Sequence, residues 1–418
     1  MKRFVLLILL LAMALSMTGC LTVTGGNDRA DELPPEEQHL TADVDETEVW
    51  HRRHDDVWSG QDEPELVSRD FERISGAAAN GMTVGQELLL LDFMDCYYQS
   101  ISQLRVIDPA DLFAEPKEVA YHKTVWHDLC VIRKLSPIDL TMTSYSYALR
   151  CVSITPSEET EGDVDMVLRE SNVTYFAGLN GIPSEQFGIK HTFTLRGVGD
   201  CWLIVRHWSD DNAYYSADYD EETQQDRNFP AITDYIQARR EMSRDEQVSA
   251  TVAHPYDRAA ARQYMLSYVG KRNGDFKAYD DYGGNCMNFG SQVLLSGGIP
   301  MDTSGGYETG WYWYSASQTT LPWVNVGWFL EYAAAEREHG LVAVVNAPYF
   351  TGETGDIITM GVEEPANHTT VILDTIKDEN GAVVDYLLCS NTADLRNFPA
   401  SAYYYTNRQL TKIIGWND

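Results

Sequence analysis

The chain has 418 residues, of which 63 are acidic and 31 basic, and its formal net charge is −32. This balance excludes nucleic acid as a partner, because a phosphate backbone requires a basic surface. It also provides no electrostatic attraction to anionic lipid, and it favours solubility. The length is sufficient for two or three domains.

The N-terminus has the features of an export signal. Two basic residues precede an apolar run at residues 4–15, and small residues precede Cys20. The apolar run is shorter than the ~20 residues that span a bilayer. Residues 17–20 (MTGC) resemble the lipobox of bacterial lipoproteins. The resemblance implies a signal peptide at residues 1–19, a lipid on Cys20 and attachment to the extracytoplasmic face of the cell membrane. The alternative is an ordinary secretory signal that contains a cysteine.

An acidic segment follows. Residues 21–70 contain 15 acidic and 4 basic residues, with two adjacent prolines and few large apolar side chains. Such a composition does not bury enough apolar surface to fold. We therefore predict a solvated tether over residues 20–80.

Residues 81–215 are predicted to form an α+β roll of the cystatin or NTF2-like kind. Apolar residues recur at helical spacing over 86–104, and several alternating strand patterns follow. Residues 191–207 indicate a hairpin. No constellation here points to chemistry, so a binding, spacing or folding-assistance role is expected. Residues 216–250 are predicted to be a linker with a helix at 232–242.

The cysteine spacing predicts neither a metal site nor a cofactor, because no CxxC pattern occurs among the seven cysteines. Setting aside one for lipid and one for catalysis leaves five, so at least one thiol is unpaired. Cys151 and Cys201 fall on apolar strand faces. Burial as small hydrophobic residues and a disulfide between them are both left open.

The stretch 273–300 is the most informative part of the chain. Gly283 and Gly284 permit a sharp turn, Cys286 follows at once, and apolar residues then recur at helical spacing until Gly297. This pattern predicts Cys286 at the N-terminus of a helix with one buried face. Amide N–H groups and the helix dipole stabilise negative charge there. A thiol pKa is then expected to fall from ~8.5 into the ~3.5–7.5 range when a His⁺ is also nearby.

Residues 285–292 (NCMNFGSQ) resemble the DCxNFxSQ motif of the bacterial putative amidase domain, a papain-like cysteine hydrolase family. Further landmarks resemble the family's opening helix, GGIP segment, two tryptophan patches and GDII turn. The resemblance implies an α+β papain-like domain over residues 251–418, with a nucleophile helix packed on an antiparallel sheet. Two residues depart from the pattern: Asn285 replaces the usual Asp, and Gly290 replaces an apolar residue.

The resemblance also implies a histidine base and a third polar group. His368 enters an apolar strand where the family has its HxxIV segment, whereas His254 and His339 do not. Asn391, on the polar segment after the next strand, is expected to orient the imidazole, and Asp394 is the alternative.

The oxyanion is expected to be stabilised by the backbone N–H of Cys286 and one upstream side chain. The upstream candidates are Tyr279, Asp280, Asp281 and Tyr282. The aromatic run at residues 311–314 is expected to line the core, with stacking on a substrate as the alternative.

Together these features predict an exported, lipid-anchored cysteine amidase or peptidase. It hydrolyses amide bonds through a thioester, and its substrate is a peptide or a peptidoglycan-type molecule. The alternative is a non-catalytic binding module that retains the papain-like fold. Acyl transfer to an amine is not distinguished from hydrolysis by the sequence.

Overall fold

The computed structural model describes residues 52–53, 74–244, 246–361, 366–405 and 407–418. The predicted signal peptide, Cys20 and most of the acidic tether lie outside these residues. Within the described ranges, no helix combines the length and apolarity needed to cross a membrane.

Eight α-helices are described in the chain. They are α1 (Val84–Ser102), α2 (Pro116–Leu135), α3 (Asn212–Ser216), α4 (Phe229–Glu241), α5 (Arg258–Tyr268), α6 (Cys286–Ser296), α7 (Leu321–Val324) and α8 (Val326–Ala334).

Sixteen strands are described. They are β1 (Arg52–Arg53), β2 (Met142–Pro156), β3 (Asp163–Phe176), β4 (Pro183–Val198), β5 (Cys201–Ser209), β6 (Tyr219–Asp220), β7 (Gln225–Asp226), β8 (His254–Pro255), β9 (Trp313–Ser315), β10 (Gln318–Thr319), β11 (Gly340–Ala347), β12 (Ile357–Gly361), β13 (His368–Lys377), β14 (Val383–Ser390), β15 (Asp394–Pro399) and β16 (Asn407–Asn417).

The molecule is mixed α/β and is built on one large antiparallel sheet. The strand order is β1-β2-β3-β4-β15-β14-β13-β12-β16-β11, with β5 paired to β4 and β8 paired to β16. The pairing of β15 with β4 continues the sheet from the N-terminal strands into the C-terminal strands. The two predicted folded segments therefore share backbone hydrogen bonds.

After β1, the described N-terminal part continues from Ile74, whose side chain is buried. Helix α1 is capped by Thr83, whose hydroxyl accepts the amide N–H of Gln86, while the Gln86 side chain accepts the amide N–H of Thr83. This helix and the β4–β5 hairpin confirm the predicted elements. Helix α2 was not predicted, because charged residues and histidines interrupt its apolar pattern. It nevertheless buries Trp126 and His122 completely.

Helix α4 confirms the helix predicted in the linker segment. Its buried face consists of Ile232 and Ile236, and it packs on α2 and against the C-terminal residues Tyr349 and Arg408. The segment thus lies against both halves of the sheet.

The expectation for Cys201 is wrong. Cys151 is buried in β2, but Cys201 begins β5 at the hairpin turn and is exposed. The two cysteines form no disulfide in the described part of the chain.

Candidate active site

A glycine turn precedes the nucleophile helix, as predicted. Gly283 and Gly284 have φ values of +96° and +115°, which glycine adopts without steric cost. A Cβ on Gly284 would lie 3.1 Å from the hydroxyl oxygen of Thr392. Helix α6 then begins at Cys286 and ends at Ser296, with Gly297 as its C-cap. The sequence therefore placed both ends of this helix correctly.

Asn285 joins the turn to the helix through three hydrogen bonds. Its amide N–H donates to the Thr392 hydroxyl at 2.5 Å, and its Oδ1 accepts from the Tyr279 N–H at 3.1 Å and from Asn288 Nδ2 at 2.7 Å. An aspartate would offer the same acceptor atoms. The asparagine thus keeps the architecture of the turn and removes a negative charge beside the sulfur.

Gly290 allows α6 to approach the sheet closely. A Cβ at this position would meet the Met287 terminal methyl at 3.1 Å, Thr369 Cγ2 at 3.4 Å and Ile357 Cδ1 at 3.6 Å. By propensity alone, a glycine inside a helix only weakens it. The structure adds a packing reason for it: β13 lies where an apolar side chain would project.

The thiol of Cys286 is almost fully buried, with 8% of the residue exposed. Burial raises its pKa, and this outweighs the backbone N–H groups of Thr369, Met287 and Cys286 itself, which act in the opposite direction. The resting thiol therefore lacks the lowered pKa that was expected with a His⁺ nearby. The helix N-terminus does supply donors, but desolvation of the thiolate is the larger effect.

His368 begins β13, as predicted, and is 7% exposed. Burial lowers the pKa of its imidazole to about 4, so the ring is neutral at physiological pH. Its Nε2 lies 3.4 Å from the Tyr403 hydroxyl, and the ring of Tyr405 lies 6.2 Å away. The N–H that contacts the Cys286 sulfur belongs to the next residue, Thr369.

Cys286 and His368 both lie at the N-terminal end of β13, but on opposite faces of the sheet. Val371 and Leu373 pack in the core that contains α6, whereas Ile372 belongs to the core on the other side of the sheet. Among the described residues, the sulfur and the imidazole share no direct hydrogen bond. The His368 ring faces Tyr403, which belongs to the same core as Ile372, on the side of the sheet away from α6.

The two candidates for the third polar group have different surroundings. Asn391 is 2% exposed; its Nδ2 donates to the Lys271 carbonyl at 3.1 Å, and its buried Oδ1 has no partner among the described residues. Asp394 uses both oxygens: Oδ1 accepts the Thr392 N–H, and Oδ2 accepts from Arg272 at 2.8 Å. Only Asn391 retains an open acceptor.

The upstream candidates for stabilising the oxyanion also differ in their exposure and in their hydrogen-bond partners. Asp280 pairs with Arg272, and Tyr282 is 71% exposed. Tyr279 has a buried hydroxyl without a partner in the described part of the chain. The side chain of Asp281 lies outside the described residues.

The aromatic run at 311–314 divides between core and surface. Trp311 is fully buried, and its indole N–H donates to the Ser291 hydroxyl at 3.0 Å. Tyr314 is 59% exposed. The expected core role therefore holds for the first residue and not for the last.

Two residues of the site were missed by the sequence analysis. Tyr403 provides the hydroxyl beside His368, and Thr392 provides the hydroxyl that fixes Asn285. The run Tyr403-Tyr404-Tyr405 before the last strand was a visible signal for the first. Thr392 has φ +114°, a strained conformation that no sequence pattern indicated. No group of three or more metal-binding side chains is found within the described ranges.

Residues 255–414 match the family model described as "Putative amidase domain". An uncharacterized protein of Bacillus subtilis (strain 168), YhbB, is 32% identical over 145 residues, which cover 34% of this chain and 43% of that protein. The alignment therefore spans less than half of that relative. No solved structure matches the chain. The family match supports an amidase-type hydrolase over the segment that contains Cys286 and His368.

Proposed function

We propose that the protein is a cysteine-dependent amidase or peptidase with Cys286 as nucleophile and His368 as base. The observation that carries this proposal is the position of Cys286: it begins a buried helix, and the backbone N–H groups of Thr369, Met287 and Cys286 itself act to lower the pKa of its thiol. Such donors stabilise the developing charge of a thiolate and of a tetrahedral oxyanion.

The resting site holds a neutral thiol and a neutral imidazole, because burial raises the pKa of Cys286 and lowers that of His368. In our proposal, the proton moves from sulfur to imidazole as the sulfur bonds to the amide carbonyl carbon. The C–N bond then breaks and the amine leaves with that proton. Water attacks the thioester, which releases a carboxylic acid and restores the thiol.

We assign the orienting role to Asn391. Its unpartnered Oδ1 is an acceptor of the kind that holds an imidazole N–H, whereas Asp394 is committed to Arg272. In the resting protein, His368 Nε2 lies 3.4 Å from the Tyr403 hydroxyl. For the proposed mechanism, the ring must therefore leave this contact and turn towards the Cys286 sulfur when substrate binds.

We further propose that the enzyme has a papain-like domain over residues 251–418 and is lipid-anchored through Cys20 outside the membrane. Its substrates are then peptides in or near the cell wall. This part rests on the signal-like residues 1–19 and on the resemblance of the motif. Labelling with a fatty-acid analogue tests it: the label is expected in the wild type and absent from Cys20→Ala.

Peptidoglycan fragments provide the test of activity. Wild-type protein is expected to convert them to products with a new carboxyl and a new amine, detected by mass spectrometry, and Cys286→Ala is expected to leave them unchanged. Identical products from both proteins would refute the proposal. Binding without conversion would support the alternative, a non-catalytic module.

A further inference from the structure

Four arginines line a half-open cavity on the face of the C-terminal sheet that is covered by α4. They are Arg239 and Arg240 of α4, Arg244 just after it, and Arg408 of β16. The centre of a water-sized sphere can reach about 20 Å³ inside it, so the cavity is small, and aromatic rings of Tyr349 and Phe350 form part of its wall.

None of these four arginines forms an ion pair with a described residue. Elsewhere in the described chain, arginines typically do: Arg196 pairs with Asp163 at 2.8 Å, and Arg258 pairs with Asp356 at 2.8 Å. The chain has 63 acidic residues and 31 basic ones. Among the described residues of the cavity wall, four arginines meet one carboxylate, Asp385, whose charge acts to raise the pKa of Arg239. This excess of positive charge runs against the composition of the chain.

The carboxylate that lines the cavity is already satisfied. Asp385 accepts hydrogen bonds from the amide and hydroxyl of Ser401 and from the amide of Tyr386. It therefore supports the neighbouring turn and does not bind a guanidinium directly.

Several guanidinium donors in the cavity are buried and lack a partner in the described part of the chain. They are Nε and Nη1 of Arg239, Nε of Arg244 and Nε of Arg408. The Arg239 guanidinium lies 3.1 Å above the Tyr349 ring, and that of Arg244 lies 4.7 Å from the Phe350 ring. Stacking holds the planes of these groups. Arg239 Nη2 donates to the Arg408 carbonyl at 2.8 Å, and the donors named above remain without a described acceptor.

Leaving charged donors buried and unpaired is costly. Burial lowers the pKa of Arg239 to about 10, and the charge of Arg408 acts in the same direction. A bound anion would offset both effects. Guanidinium groups bind planar or tetrahedral oxyanions through two parallel hydrogen bonds, which an ammonium group does not provide.

We propose that the cavity formed by Arg239, Arg244 and Arg408 is a binding site for a small oxyanion, either phosphate or the carboxylate of a small acid. The small space and the number of edge donors favour one such group over a nucleotide or a polymer. The site is separate from the Cys286 sulfur. Arg408 connects the two regions, because it also donates to the carbonyl oxygen of Tyr403 at 2.6 Å.

Calorimetric titration of the full chain tests this site, with inorganic phosphate and acetate as probes and chloride at the same ionic strength as the reference. We expect saturable binding of one of the two oxyanions and none of chloride. Arg244→Gln is expected to weaken the binding at least about tenfold, because one charge-assisted hydrogen bond contributes that much. Arg408 is not used, because it supports the Tyr403 turn.

Arg206→Gln is the matched control. Arg206 is 53% exposed at the side chain and pairs with Glu159 in the N-terminal strands, so its loss removes one charge and leaves the cavity intact. Binding by this variant is expected to equal that of the wild type. The proposal is overturned if neither oxyanion binds the wild type saturably, or if Arg206→Gln and Arg244→Gln weaken binding equally. Melting curves of each variant confirm that it is folded.

Discussion

Each half of the sheet contains a buried cluster of polar side chains. The two clusters differ in how many of their polar atoms have a hydrogen-bond partner. In the N-terminal half, His122, His207 and His191 form a chain that ends at Glu170, with contacts of 2.9, 3.0 and 2.8 Å. The free end of the chain is closed by the Glu118 carbonyl, 2.8 Å from His122 Nδ1. Every ring nitrogen in this chain has a partner.

The carbonyl of Glu118 fixes the direction of the protons. It accepts from His122 Nδ1, so His122 Nε2 accepts from His207, and His207 Nε2 accepts from His191. His191 then donates from Nδ1, and its Nε2 lies 2.8 Å from Glu170 Oε2. His122 and His207 are therefore neutral imidazoles in this series of contacts.

The candidate site in the C-terminal half contains buried polar groups whose contacts are incomplete among the described residues. Asn391 Oδ1 and the Tyr279 hydroxyl have no described partner, and His368 has only a 3.4 Å contact with Tyr403. A satisfied network stabilises a fold, and an unsatisfied one at a nucleophile leaves atoms available to a substrate. This difference is why we place the chemistry at Cys286.

The largest expected effect comes from the base. His368→Ala is expected to lower kcat about 10²- to 10⁴-fold, the range typical of general acid–base catalysis, with little change in KM. The measurement is steady-state hydrolysis of whichever peptide amide the wild type accepts. His191→Ala is the control from the satisfied chain: it should lower the melting temperature and leave kcat per folded molecule unchanged. A loss of kcat in His191→Ala with unchanged kcat in His368→Ala would contradict the assignment of the chemistry to the C-terminal half.

The histidine chain should make stability depend on pH. The pKa of His122 is about 4 in the fold against 6.5 for an ordinary histidine, so the unfolded chain binds more protons between these values. Unfolding free energy should therefore fall as pH decreases from 6.5 to 4, by about 3 kcal/mol for this group. Burial also lowers the pKa of His207, which adds to the loss.

Urea unfolding of the wild type and of His122→Gln at several pH values isolates this contribution, because glutamine does not titrate. The difference in unfolding free energy between the wild type and His122→Gln should change in favour of the variant as the pH falls. A difference that stays constant from pH 7 to pH 4.5 would contradict the proton assignment.

The third polar group gives a smaller effect. Asn391→Ala should reduce activity about tenfold, which corresponds to one hydrogen bond to a charged group, and should change stability little. Asp394→Ala should lower stability and change activity little, because it breaks the ion pair with Arg272. Parallel activity and melting measurements decide between them, and a larger loss of activity in Asp394→Ala would reverse our assignment.

The smallest effect concerns packing. Gly290→Ala should destabilise the protein by about 1 kcal/mol, because contacts at 3.1 and 3.4 Å offset the helix propensity gained. Gly327→Ala is the matched helix control, with its nearest atom at 3.6 Å, and should be neutral or stabilising. The measurement is the unfolding free energy of Gly290→Ala and of Gly327→Ala in urea, each relative to the wild type. Equal stabilisation by both would show that α6 does not need a glycine against β13.

Local pattern predicted much of the candidate site. Two glycines before Cys286 and one after its helix were sufficient to place the helix ends, because glycine conformation and helix periodicity are local properties. His368 at the start of a strand followed in the same way. These elements depend on neighbours in sequence, which is the information a single chain displays.

The remaining features depend on residues that are distant in sequence. Neither the contact of Tyr403 with His368 nor the buried pKa of Cys286 follows from local pattern, since both arise from packing across the sheet. Helix α2 was missed because its histidines face a polar chain buried in the core. The exposure of Cys201 depends on where a hairpin turns, which alternation alone does not fix.

Trapping of the covalent intermediate tests the central claim most directly. A peptide amide or ester that the wild type hydrolyses is mixed with the protein and quenched in acid, and the digested protein is analysed by mass spectrometry. We predict an acyl group on the sulfur of Cys286 that is removed by hydroxylamine and is absent from Cys286→Ala, which has no activity. Undiminished turnover by Cys286→Ala, or acylation at another residue only, would contradict the account.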